Sequence, residues 1–132
     1  MAALDTNVLV RFVVQDHAAQ GAAAADLLRR AVEAGTTLFV PVTVMLELEW
    51  VLRSVFRFDK PATLEAMLRL LGSFELSIES EGAVEAAVAR YENGSADFAD
   101  CLHAALAIKA GEQPLWTFDK AAAKVEGAAL LA

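Results

Sequence analysis

Ala2-Ala3-Leu4-Asp5-Thr6-Asn7 opens the chain as a short apolar run that ends on an acid. Near the other end, Leu115-Trp116-Thr117-Phe118-Asp119-Lys120 repeats the pattern. Residues 2–6 and 115–118 both read as strands, each with an aspartate at its carboxyl end. Between them, helical and strand signals alternate. Residues 7–14 carry a helical turn or two, and His17 to Ala34 is an Ala/Leu-rich helix that Gly35 ends. Thr36 to Val40 is a β-branched run closed by Pro41. From Thr43 to Phe56 the residues Val44, Leu48, Val51, Leu52 and Val55 recur at helical spacing. Pro61 opens a further helix that Gly72 stops, and Phe74 to Ile78 is the next strand. Helices over 81–92 and 97–110 follow, ended by Asn93-Gly94 and Gly111. The chain closes with a short helix over 120–126 and a strand over 128–131.

Alternation of this kind implies parallel strands joined by right-handed crossovers. The expected fold is α/β: one domain, residues 1–132, built as a three-layer α/β/α sandwich around a central parallel sheet. Ligands of such sheets sit outside the carboxyl ends of the strands. Asp5 and Asp119 are therefore placed at the functional rim, and two helices carry acids that can reach it.

Those acids are Glu47, in Val44-Met45-Leu46-Glu47-Leu48-Glu49-Trp50, and Asp100, in Ala96-Asp97-Phe98-Ala99-Asp100-Cys101-Leu102. An ionised carboxylate in apolar surroundings is costly unless it is paired or coordinates a metal. Several gathered at one rim call for hard divalent cations, which take oxygen ligands. Bland alternatives exist for each. Asp5-Thr6-Asn7 suits a turn. Asp97 suits a helix N-cap with Asp100 in the first turn, and Asp119 suits an N-cap as well. Periodicity does not separate Glu47 from Glu49, because both flank the apolar stripe of their helix.

Composition narrows the chemistry. A single cysteine, Cys101, excludes an intrachain disulfide and a cysteine zinc cluster. Two distant histidines, His17 and His103, argue against an imidazole metal site. Without a signal-like start or a run long enough to span a bilayer, a cytoplasmic protein with no membrane partner is expected. Taken alone, the net charge of −7 disfavours a nucleic-acid partner. Setting five candidate ligands aside, however, 18 less 5 leaves 13 acids against 11 basic residues, so acidity says little about RNA.

Taken in order, Leu4-Asp5-Thr6-Asn7, Glu47-Leu48-Glu49-Trp50-Val51-Leu52, Ala96-Asp97-Phe98-Ala99-Asp100-Cys101-Leu102 and Thr117-Phe118-Asp119-Lys120 resemble the motifs of PIN-domain proteins. The similarity is closest to the VapC-type ribonuclease toxins of prokaryotic toxin–antitoxin pairs and covers essentially the whole chain. The resemblance selects Glu47 over Glu49 and makes Asp100 the third acid, with Asp97 supporting. It implies a Mg²⁺- or Mn²⁺-dependent endoribonuclease with Asp5, Glu47, Asp100 and Asp119 as catalytic residues. These four, with Asp97, would hold one or two cations that activate water and polarise the scissile phosphate.

Thr6, Asn7 and Thr117 suit the role of donors that orient carboxylates or contact phosphate. Arg53, Arg57, Lys60 and Lys120 are candidate phosphate contacts, with ordinary solvated charge as the alternative. His103 is expected to be a helix-surface residue. A VapB-like antitoxin and a second copy of the chain are the implied partners. A composition of 57% hydrophobic residues, more than one small domain readily covers, is compatible with both.

Rival functions are a phosphoryl-transfer or receiver domain, a non-catalytic metal-binding module, and a PIN nuclease of RNA processing outside any toxin system. The first is disfavoured because Asn7 stands where an Asp-x-Asp start needs its second acid.

Overall fold

The structure, a computed structural model, describes residues 2–132. It divides into two compact units, one ending at Glu79 and the other spanning Ser80–Ala132.

The first unit holds three strands and four helices: β1 (Ala2–Ala3), α1 (Thr6–Val14), α2 (Ala18–Ala34), β2 (Leu38–Val40), α3 (Val42–Ser54), α4 (Lys60–Leu71) and β3 (Leu76–Ile78). Its sheet is wholly parallel in the order β1-β2-β3, with Ala2 opposite Leu38 and Leu38 opposite Leu76. Two helices separate each pair of consecutive strands, as parallel pairing requires. Leu38, Val40, Leu76 and Ile78 bury one set of alternate side chains, and Phe39 and Ser77 point the other way and are exposed.

Local chemistry explains the helix ends. His17 caps α2 through Nδ1, which accepts from the Gln20 amide at 3.1 Å, and Gly35 ends it in the left-handed conformation. Asp59 caps α4 by accepting from the Ala62 amide at 2.9 Å. For α3 the capping group comes from elsewhere: Pro41 offers no side-chain cap, and Glu79 at the end of β3 accepts from the Val42 amide at 2.8 Å. That carboxylate satisfies an orphan donor and sits favourably at the positive end of the helix dipole.

One expectation is corrected here. Residues 2–6 do not form a strand throughout. β1 is two residues long, Leu4 adds one ladder bond to the Phe39 carbonyl at 2.8 Å, and Thr6 already begins a nine-residue helix. Asp5 is the cause, because its extended backbone and capping carboxylate start α1 earlier than the apolar pattern suggests.

The second unit holds α5 (Glu81–Asn93), α6 (Phe98–Ala110), β4 (Leu115–Thr117) and β5 (Ala128–Leu130). α5 packs along α6, with Tyr91 and Phe98 in an edge-on ring contact at 5.7 Å. β4 and β5 pair in parallel, Leu115 opposite Ala128, as a separate two-stranded sheet. The link between them contains a 3-10 helix of three residues, Ala122–Lys124, where a longer helix over 120–126 is expected from sequence. Gly127 is obligatory at its end: φ is +89°, and a Cβ there would come within 2.7 Å of Ile108 Cδ1.

Candidate active site

In the first unit, one buried threonine joins two acids. Asp5 lies just past the end of β1 and accepts from the Thr6 amide at 2.7 Å. Thr6 is only 3% exposed, and its hydroxyl donates to Glu47 Oε1. Packing of α1 against α3 brings the Thr6 side chain to Glu47 across 41 positions of sequence. Both carboxylates are exposed, and each keeps its second oxygen outside these bonds. Asn7 is exposed in the first turn of α1.

Glu49, two positions from Glu47, has a different environment. It is 2% exposed and accepts from Arg53 Nε at 2.9 Å, one turn further along α3. The helix thus turns one glutamate inward to an ion pair and leaves the other at the surface beside Thr6.

In the second unit Asp119 and Asp97 lie close enough to act on Asp100. Asp97 occupies the N-cap position of α6 but makes no capping hydrogen bond with its side chain, so helix capping does not account for it. Asp100, in the first turn, has its carboxyl pushed above the usual aspartate range. Partial burial is the main cause, followed by the charges of Asp119 and Asp97, with His103 acting in the opposite direction. A position in the first turn of a helix ordinarily favours the ionised form. Here desolvation and like charge outweigh it. His103 itself is exposed on α6, as expected.

Asp119 closes the turn that leads into the 3-10 helix: its Oδ1 accepts from the Ala122 amide at 2.9 Å. Its own amide donates to Thr117 Oγ1 at 3.0 Å, which ties the acid back onto β4. A carboxylate offers about four acceptor positions. One such bond therefore leaves Asp119 able to bind a ligand.

Within each unit, no group of three or more His, Cys, Asp or Glu among the described residues is arranged to hold a metal ion as it stands. Donor chemistry, by contrast, fits a hard divalent cation, since the acids offer only oxygen and the lone cysteine is buried. The mutual repulsion at Asp100 is of the sort a cation relieves.

The cationic candidates differ in setting. Arg53 is committed to Glu49. Arg57 is exposed between α3 and α4 with a left-handed backbone, φ 57°. Lys60 begins α4 and is partly covered, whereas Lys120 is exposed beside Asp119. Sequence patterning misses one feature. Trp116 and Phe118, which the pattern marks only as strand residues, are 59% and 71% exposed.

Family comparison agrees with this chemistry. The family model described as PIN domain matches residues 2–128, so the match runs across both units. The class is that of nucleases, hydrolases acting on nucleic acids. The chain belongs to the PIN domain family. The expected α/β/α sandwich is this family's fold, and both units carry its helices and parallel strands. A comparison with curated proteins gives no match. Among the described residues, no helix is long and apolar enough to cross a membrane.

Proposed function

We propose that this protein is a Mg²⁺- or Mn²⁺-dependent endoribonuclease, a single nuclease domain that acts in the cytoplasm as the toxin of a VapBC-type pair. The observation that carries the metal-dependent chemistry is the charge coupling of Asp100 to Asp119 and Asp97. Burial and the charges of two neighbouring carboxylates raise the proton affinity of Asp100, a setting suited to a cation. Asp5, Glu47, Asp100 and Asp119 are the proposed cation ligands, with Asp97 in support. When bound, the cation supplies water activation at neutral pH and charge stabilisation at the phosphate.

The chain's own residues do the positioning. Thr6 fixes the orientations of Asp5 and Glu47 at once, through its amide and its hydroxyl. Thr117 holds the Asp119 backbone. Lys120, Arg57 and Lys60 offer charge to the RNA backbone, and Arg53 does so from its ion pair with Glu49. The toxin assignment rests on the resemblance of the four acidic motifs to VapC-type chains. A VapB-like antitoxin and a second copy of this chain are the proposed partners, and exposed apolar residues such as Val32, Val55 and Leu68 give them surface to cover.

Cleavage of RNA by the purified protein, dependent on Mn²⁺ or Mg²⁺ and stopped by chelator, tests the chemistry. Expression of the chain alone should arrest growth, Asp5→Asn should be tolerated, and the product of an adjacent small gene should restore growth. Normal growth under strong expression of soluble, active protein would reassign it to RNA processing. Loss of metal-dependent cleavage altogether would leave a non-catalytic binding module.

A further inference from the structure

Trp116 lies in the middle of β4 and Phe118 directly follows the strand, yet both rings face solvent. Side chains alternate along a strand, so Trp116 and Thr117 occupy opposite sides, and Phe118 is exposed at the bend just beyond. Thr117 uses its side chain to hold the Asp119 amide at 3.0 Å. Across the ladder, Trp116 is paired with Ala129, whose methyl group leaves the indole face largely uncovered. Trp116 and Phe118 are two positions apart, a separation of about 6.6 Å where a chain is extended. That suits successive bases of an extended single strand. Lys120, exposed two residues beyond Phe118, adds positive charge at the same edge.

We propose that Trp116 and Phe118 form a stacking platform for two neighbouring bases of single-stranded RNA, delivering the phosphate between or beside them to Asp119. The inference rests on the nuclease function proposed above. Three features on this segment point to RNA as occupant: aromatic rather than aliphatic groups at the exposed positions, an adjoining cation, and direct continuity with a candidate catalytic acid. Base–aromatic stacking is tolerant of sequence and is how unpaired strands are commonly held. Trp116 and Phe118 would set the requirement for unpaired substrate, while the carboxylates act at the phosphate.

The test measures binding of the full chain to a labelled single-stranded 12-nucleotide RNA in chelator, and to the same strand made abasic at internal positions. Steady-state cleavage in Mn²⁺ accompanies it. Trp116→Ala and Phe118→Ala should each weaken binding of the intact strand by about tenfold, leave abasic binding unchanged, and raise KM by more than they lower kcat. Trp116→Phe should restore most of the affinity, and Phe74→Ala, an exposed ring of the other unit, should behave as wild type. If both alanine variants bind and cleave the intact strand as wild type does, the platform is wrong and the nuclease stands. The platform is equally wrong if they turn a dimer into a monomer with RNA affinity intact, which would assign the surface to self-association. A wild-type protein that neither binds nor cleaves RNA would overturn both proposals.

Discussion

Glu49 and Arg53, one turn apart on α3, are joined at 2.9 Å with Glu49 almost wholly buried. That pairing decides which glutamate of the Glu47-Leu48-Glu49 triplet is available for chemistry. The inward acid is taken up by its ion pair, and the outward one meets Thr6.

Glu47→Ala should therefore abolish metal-dependent cleavage with little change in melting temperature, since its side chain is exposed. Glu49→Ala should do the reverse, costing about 1–3 kcal/mol of stability through its lost buried contacts while the folded fraction keeps its activity. Thermal melts and single-turnover cleavage on the same preparations separate the two. An inactive, fully stable Glu49→Ala protein alongside an active Glu47→Ala protein would reverse the assignment.

Thr6 controls two carboxylates through two different groups, so substitutions can separate them. Thr6→Val keeps the amide bond to Asp5 and removes the hydroxyl that orients Glu47. Loss of an orienting partner of a metal-binding group typically lowers activity or metal affinity about 10- to 100-fold. Thr6→Ser should recover most of that loss. Equal activity in Thr6→Val and wild type would show that Glu47 needs no positioning by this hydroxyl.

Asp100 makes stability depend on pH in a direction opposite to most paired carboxylates. Its folded form binds a proton more tightly than the unfolded chain does, because of burial first and then Asp119 and Asp97, against the pull of His103. Below the ordinary aspartate range no penalty exists. It grows as pH rises from that range to the raised folded value and is complete above it. In the absence of metal, Asp100→Asn should melt higher than wild type at pH 7, and the difference should vanish toward pH 3. Mn²⁺ at 100 times its Kd should stabilise wild type by about 2.7 kcal/mol and the variant by much less. A pH-independent difference, or equal Mn²⁺ shifts, would count against a clustered acidic site.

Asp119 combines a structural bond with a proposed ligand role. Asp119→Asn keeps an acceptor for the Ala122 amide but removes the charge, so cleavage should fall sharply with melting nearly unchanged. Asp119→Ala should lose cleavage and also about 1 kcal/mol of stability, the usual net worth of a hydrogen bond. Were the two variants equally active and differently stable, closing this turn would be the whole role of this acid.

The features legible in the sequence are those fixed by neighbours along the chain. Gly35 and Gly111 stop helices because the left-handed backbone they adopt suits glycine, and Pro61 marks the start of α4 because its ring tolerates only the first turn. The alternation of strands and helices and the apolar stripe of α3 follow from the same short-range rules, and with them the fold class. The start of α1 at Thr6 is less legible, because Asp5 serves equally well as strand end, turn residue or cap.

Tertiary structure alone decided what depends on surroundings. Glu47 and Glu49 flank the same stripe, and only the packing of α3 against α1 gives one to Thr6 while turning the other inward to Arg53. The cap of α3 comes from Glu79, 37 residues away, which no local pattern announces. Trp116 and Phe118 have the residue types of buried strand positions, and their exposure reflects what does not pack over β4. Sequence thus marked out most of the elements and put forward the four acids, because backbone preference and residue chemistry are local. The structure determined which side chains are covered, paired or left facing water, because burial and electrostatic coupling belong to the neighbours that folding brings together.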